Sequence, residues 1–157
     1  MTDDWNLPWT GRCRCERLTL RISAAPLVTF ACHCSGCQRM SASAFSMSIL
    51  VPSDGFEVTS GTTELGGLQG PNQHHYCTFC KTWVFTRPDR LPQFVNVRAT
   101  MLDDHSWVVP FVDTCKSEGF PWATTGAKHS FPDIPPDEAF GPIMADFAQT
   151  SPRPQRR

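Results

Sequence analysis

The chain of 157 residues carries 14 basic against 15 acidic side chains, a formal net charge of -1, 40% hydrophobic residues and 8 cysteines. That length supports one domain with a single core and is too short for two sizeable ones. With 18% of residues charged and the signs balanced, the composition excludes the solvated chain of a disordered protein and the basic excess of a nucleic-acid binder.

The opening MTDDWNLPWTGR carries two acids and no apolar run, unlike a secretory signal or transit peptide. The uncharged stretch over residues 40–53 is broken by serines and falls short of the roughly 20 apolar residues of a membrane span. The expectation is a soluble, cytoplasmic protein with no membrane and no nucleic-acid partner. In that reducing compartment cysteines persist as thiols or metal ligands rather than as disulfides.

In chain order, short runs rich in β-branched and aromatic residues predict strands over residues 18–22, 27–31, 45–51, 56–59, 83–86, 94–99 and 107–112. Leu18, Leu20 and Ile22 share one face, as do Val95, Val97 and Ala99, the alternation of half-buried strands. Residues 35–42 and 136–148 carry the only helical patterns, both short. Gly61, Gly66, Gly67 and Gly70 predict a loop-rich connection in the middle. After Phe131 the sequence accumulates Pro132, Pro135, Pro136, Pro142, Pro152 and Pro154, poor material for a sheet interior. The reading is a mainly β domain of short antiparallel strands over residues 1–130. A Pro-rich tail over 131–157 partly wraps it or is disordered, and ends in the basic, solvated SPRPQRR.

The cysteines fall in clusters: Cys13-x-Cys15, then Cys32-His33-Cys34-x-x-Cys37, then Cys77-x-x-Cys80, with Cys115 apart. Two cysteines separated by one or two residues on a turn can place their sulfurs at the spacing of a tetrahedral zinc. Packing alone does not require such spacing. The two pairs complete a four-sulfur sphere, Cys13, Cys15, Cys77 and Cys80, a closed structural site. Cys32, Cys34 and Cys37 remain as three ligands with one position open, the pattern of a catalytic or ligand-binding zinc. Up to two Zn2+ per chain are expected. His33, His74, His75 or Cys115 are alternative fourth ligands. His33 lies between two candidate ligands and should point away from their metal, as an orienting or surface group; His74 and His75 read as exposed strand-end residues or as contacts for an anionic substrate. Cys115, with no neighbouring cysteine, reads as a structural core thiol. Three thiolates make zinc a weaker activator of water and suit a soft fourth ligand, such as a substrate thiol that loses its proton on binding.

The order G-x-C-x-C (Gly11, Cys13, Cys15), C-H-C-S-x-C-Q-R (Cys32 to Arg39) and C-x-x-C (Cys77, Cys80) resembles the glutathione-dependent formaldehyde-activating enzyme family, which also includes centromere protein V. The resemblance runs from Trp9 to Trp122, where Pro121-Trp122 is similar to that family's closing feature. It implies a Mss4-like β-sandwich, or β-tent, with Cys13, Cys15, Cys77 and Cys80 on a structural zinc and Cys32, Cys34 and Cys37 on an active-site zinc. The implied activity is a carbon–sulfur lyase that condenses formaldehyde with glutathione. Lys81 departs from the glycine that the family usually carries after the second pair, which puts the local turn in question.

A lyase acting on a glutathione-like thiol and an aldehyde is therefore the leading expectation. Arg39 is a candidate anchor for a glutathione carboxylate, and Phe45 a core residue or a wall of the pocket. The alternatives are a non-catalytic zinc module that binds a protein partner and, since methionine sulfoxide reductases share the Mss4-like fold, a thiol redox enzyme. Without a basic extension before residue 9 a chromosomal role is disfavoured, and the residues around Cys115 do not resemble a redox nucleophile's segment.

Overall fold

Apolar residues at every second position divide this chain into faces. The computed structural model describes residues 5–68 and 70–155. Among them β1 (Trp9–Arg12), β2 (Thr19–Ile22) and β5 (Phe56–Ser60) pair antiparallel in a three-stranded sheet. A second, eight-stranded sheet contains β3 (Val28–Cys32), β4 (Ser46–Pro52), β6 (Thr63–Gly66), β7 (Asn72–Cys77), β8 (Trp83–Pro88), β9 (Phe94–Arg98), β10 (Val112–Thr114) and β11 (His129–Ser130). Its strand order is β11-β10-β3-β4-β9-β8-β7-β6. Two α-helices, α1 (Ser35–Ser41) and α2 (Asp137–Thr150), and three single-turn 3-10 helices complete the elements among the described residues. The fold is mainly β, as the sequence predicts.

Buried Leu20, Ile22 and Phe56 from the small sheet meet buried Ile49, Val51, Phe85, Val95 and Val97 from the large one in a single core. Phe56 packs edge-on against Phe85, with ring centroids 4.8 Å apart. Alternate residues of β4 and β9, Ser48, Leu50, Asn96 and Arg98, line a cavity together with Phe30 and Cys32 of β3, Leu50 packing on the core as well. One sheet thus packs the core and floors a site at once, because successive side chains point to opposite faces.

The pairing is mostly antiparallel, as expected; β10 runs parallel to β3 and β11, because the connection from β9 to β10 is long enough to return the chain in the same direction. Two expectations are corrected. The predicted strand over 107–112 starts only at Val112. Trp107 and Phe111 instead join Trp5, Trp9 and Phe147 in an aromatic cluster with centroids 4.8 to 6.0 Å apart. The loop-rich middle contains two strands, β6 and β7. The sequence of β7, NQHHYC, has little strand propensity, but pairing on both sides makes it one.

Beyond Phe131 the chain packs on the strands. The backbone N–H groups of Cys115, Lys116 and Ser117 donate to the carbonyls of Asp133, Phe131 and Pro132. α2 buries Ile143 and Phe147, one turn apart on one face, and its Asp146 accepts hydrogen bonds from Lys128 (2.6 Å) and His129 (2.8 Å). Arg156 and Arg157, the end of the basic tail, lie outside the described residues. No helix among the described residues is long and apolar enough to cross a membrane.

Gly11 stands where β1 passes close to Met101 and bridges to Leu102; a Cβ there would lie 2.3 Å from the Met101 carbonyl oxygen. Gly11→Ala should lower stability by about 1–3 kcal/mol in denaturant melts. Gly141→Ala, inside α2 with nothing within 4 Å of its Cβ position, should raise it by about 1 kcal/mol.

Candidate metal centres and the adjoining cavity

Two tight turns bring the first four thiols together. After Cys13 the chain reverses so that the Glu16 N–H donates to the Cys13 carbonyl at 3.0 Å, and after Cys77 the Lys81 N–H donates to the Cys77 carbonyl at 3.0 Å. Glu16 and Lys81 both take the left-handed backbone, at φ 64 and 59, a conformation that costs a non-glycine residue about 1–2 kcal/mol. Lys81 thus takes this turn without being glycine, and its ammonium pairs with Glu64 on β6. The sulfurs of Cys13 and Cys15 lie 3.5 Å apart and those of Cys15 and Cys77 3.8 Å. All four ligand atoms, Cys80 included, fall within 4.8 Å of one another. A tetrahedron with metal–sulfur bonds of about 2.3 Å has edges of about 3.8 Å, so this cluster could hold a metal ion and is compatible with zinc.

Cys32, Cys34 and Cys37 form the second cluster, again with sulfurs within 4.8 Å of one another. Cys32 ends β3, Cys34 caps the N-terminus of α1 by accepting from the Cys37 N–H at 3.3 Å, and Cys37 lies in the first turn. Alternation along Cys32-His33-Cys34 sends His33 away from the sulfurs. It is fully buried rather than on the surface, and its Nε2–H donates to Asp113 Oδ1 at 3.0 Å. Thr125 donates to the same carboxylate. Gln38 donates to the carbonyls of His33 and Glu118, while the Ser35 N–H donates to the Glu118 carboxylate. These bonds tie α1 to residues 113–118 and fix the cluster's backbone.

Hydrogen bonding from Cys37, helped by Thr114 and Cys34, holds the Cys32 thiol down at about 5. The shared hydrogen bond with Cys32 and burial push Cys37 up, and burial pushes Cys34 up. One thiolate and two thiols therefore make up the metal-free cluster at neutral pH. Cys115 is buried beside Cys32, and burial together with that neighbour's charge pushes it up to about 12. It lacks a neighbouring cysteine only along the chain; the fold supplies one, though outside the three-thiol set.

A cavity of about 450 Å3 includes Cys32 and Cys37 in its wall. The sheet contributes Phe30, Leu50, Trp83 and Phe94; Ile134, just before α2, and Phe140 and Met144 on α2 contribute the rest. Among these apolar groups sits Arg98, 8% exposed. Its Nη1 donates to Ser46 Oγ at 3.3 Å and its Nη2 to the Asn96 carbonyl at 3.4 Å, and the guanidinium lies 4.0 Å from the Trp83 ring centroid. No carboxylate among the described residues pairs with it. Burial lowers its pKa to about 10, against the pull of Cys37 and Cys32, and it stays charged at neutral pH.

Sequence reasoning passed over Arg98. Its one signal is that Asn96 and Arg98 alternate with Val95 and Val97, which in isolation reads as a solvent face. Arg39 lies in the last turn of α1, outside the cavity wall, where its charge acts on Glu118. Phe45 packs on His33, with centroids 5.1 Å apart, and does not line the cavity. His74 and His75 are not exposed strand ends. They sit half-buried within β7, His74 in the cavity wall against Thr86 and Trp83, His75 stacked on Phe85 at 4.4 Å. Burial lowers the pKa of both, which keeps them neutral.

Fold and clusters together define a mainly β protein with two candidate metal centres, one of them beside a cavity fit for a small molecule. The family model described as glutathione-dependent formaldehyde-activating enzyme matches residues 8–117, a span that holds all seven clustered cysteines, and the chain belongs to that family. Among solved structures, a crystal structure of a Rhodobacter sphaeroides protein is similar in fold, at TM-score 0.51 and 18% identity, over 60% of this chain and 87% of that one. No curated protein matches the chain.

Filling the second cluster at pH 7 displaces the protons of Cys34 and Cys37, whereas Cys32 is already ionised. Zinc titration of protein stripped at that cluster should release about two protons per ion in weakly buffered solution.

Proposed function

We propose that this chain is a zinc-dependent carbon–sulfur lyase that joins a thiol such as glutathione to an aldehyde such as formaldehyde, or cleaves the adduct. Cys13, Cys15, Cys77 and Cys80 hold a structural zinc, and Cys32, Cys34 and Cys37 a second. The observation that carries this reading is the second cluster, three thiols converging beside a cavity with no fourth cysteine in the set. A zinc ion held there by Cys32, Cys34 and Cys37 would accept one further soft ligand and would lower the pKa of a thiol bound to it.

The chain's own residues prepare that position. Hydrogen bonds through His33, Asp113, Gln38 and Glu118 hold the three sulfurs in one geometry. Three thiolates around a divalent cation leave one net negative charge, which the buried Arg98 guanidinium offsets at close range in a low-dielectric wall. Arg39, beside Glu118 on α1, is the proposed contact for a glutathione carboxylate outside the cavity. A protein-binding module of the same fold is the second reading, favoured by the exposed stacked pair Phe120 and Trp122, 45% and 73% exposed. Thiol redox chemistry has less support, because Cys115, the thiol it would use, is buried and protonated.

Elemental analysis should find up to two zinc ions per chain, the three-cysteine one lost first to a chelator. Cys77→Ser should unfold or aggregate the protein, since binding free energy at a closed site is folding free energy, whereas Cys34→Ser should stay folded and lose one metal. Thermal melts showing the reverse order of damage would exchange the two assignments.

For the chemistry, glutathione should bind with proton release near neutral pH, and its analogue with serine in place of cysteine far more weakly, by calorimetry in buffers of different ionisation heat. Equal affinity for the two, with no acceleration of thiol–hemithioacetal exchange over the spontaneous rate, would leave the binding module as the better account.

A further inference from the structure

Formaldehyde has a single carbon, yet the cavity beside Cys32 and Cys37 encloses about 450 Å3 and is walled mainly by apolar side chains. Ile134, Phe140 and Met144, which supply much of that wall, lie beyond the span 8–117 that the chain shares with its family. Apart from the cysteines, Arg98 and Asp137 are the only charged side chains among the described residues of the wall. Such a lining offers one cation, Arg98, for the two carboxylates of glutathione, and Asp137 repels both. A tripeptide thiol therefore approaches from outside the cavity, and what fills the cavity belongs to the other reactant.

Three polar groups interrupt the apolar wall in one place. Arg98 has no carboxylate partner among the described residues, and the Trp83 indole N–H and the Asn96 side-chain oxygen have no hydrogen-bond partner. Asn96 and Arg98 are two apart on β9, and Arg98 lies over Trp83. Buried polar groups left without partners are uncommon in the absence of a ligand that meets them.

We propose that the carbonyl substrate of this chain is an aromatic or medium-chain aliphatic aldehyde, with its carbon skeleton in the cavity and its oxygen turned towards Arg98. The proposal rests on the lyase reading above. In the forward step the sulfur electron pair of the thiolate forms the carbon–sulfur bond, and the π pair of the carbonyl moves onto oxygen. The resulting alkoxide lies beside the Arg98 guanidinium, a fixed charge aimed at the atom where negative charge develops. It takes a proton from water, which balances the proton released when the thiol ionised.

Calorimetry on the zinc-loaded protein with glutathione, S-methylglutathione and S-hexylglutathione reads cavity occupancy without turnover. S-hexylglutathione should bind roughly tenfold or more tightly than the methyl compound, and Ile134→Asp, at an exposed position of the wall, should remove most of that gain. Equal affinity for the two thioethers alongside good glutathione binding overturns this proposal and leaves the lyase reading standing. Failure of glutathione itself to bind overturns both.

Exchange spectroscopy then separates the source of the apolar group. Acceleration of hexanal with glutathione supports the aldehyde; acceleration only of formaldehyde with hexanethiol overturns it. In protein shown by elemental analysis to keep its metal, Arg98→Gln should slow hexanal exchange by about a hundredfold, with partial rescue by Arg98→Lys. Unchanged exchange in a variant that still binds the thioether removes Arg98 from the step.

Discussion

Everything in this fold is arranged around the meeting of two reversed turns, one between β1 and β2 and one between β7 and β8. Cys15 and Cys77 are 62 residues apart in sequence, yet their sulfurs lie 3.8 Å from each other. The first turn belongs to the small sheet and the second to the large one, so four thiols join the two layers at one edge. Loop closure of that length is entropically costly before any contact rewards it, and a metal ion bound by all four sulfurs would offset it. The strained backbone at Glu16 and Lys81 is consistent with turns whose geometry answers to the sulfurs rather than to local preference.

From that edge inward, the large sheet performs two tasks because of its side-chain period. Ile49, Val51, Val95 and Val97 point into the core, and the residues between them point into the cavity. A change of register by one residue would exchange the two sets. The second thiol cluster lies at the end of β3, on the cavity side, and the helix that follows is capped by one of its own cysteines. Site and core are thus opposite faces of the same strands.

Charge follows the same division. Arg98, which on an isolated strand would be solvated, is enclosed between the sheet and the segment leading to α2. Its partners are the Ser46 hydroxyl, the Asn96 carbonyl and the Trp83 ring face, and no carboxylate among the described residues pairs with it. His74 is neutral beside it through burial. A lone cation in an apolar enclosure next to three thiols suits chemistry in which negative charge appears on sulfur and oxygen.

Local spacing alone carried a good deal of this. Clustered cysteines cannot be placed at random by packing, and their two-three-two count allotted four to one site and three to another; the alternation of Leu18, Leu20 and Ile22 marked a buried strand face that the structure keeps. What local spacing could not carry was the identity of neighbours brought together across the sheet. β7 became a strand because β6 and β8 flank it, against its own weak propensity. Trp107 and Phe111 left the strand pattern to pack with Trp5, Trp9 and Phe147. Cys115, isolated in sequence, came to lie beside Cys32, and Arg98 became a buried cation because residues 134–144 close over the polar face of β9. Spacing reports which side chains share a face, whereas burial depends on what a distant part of the chain lays against that face, and only the tertiary structure decides that.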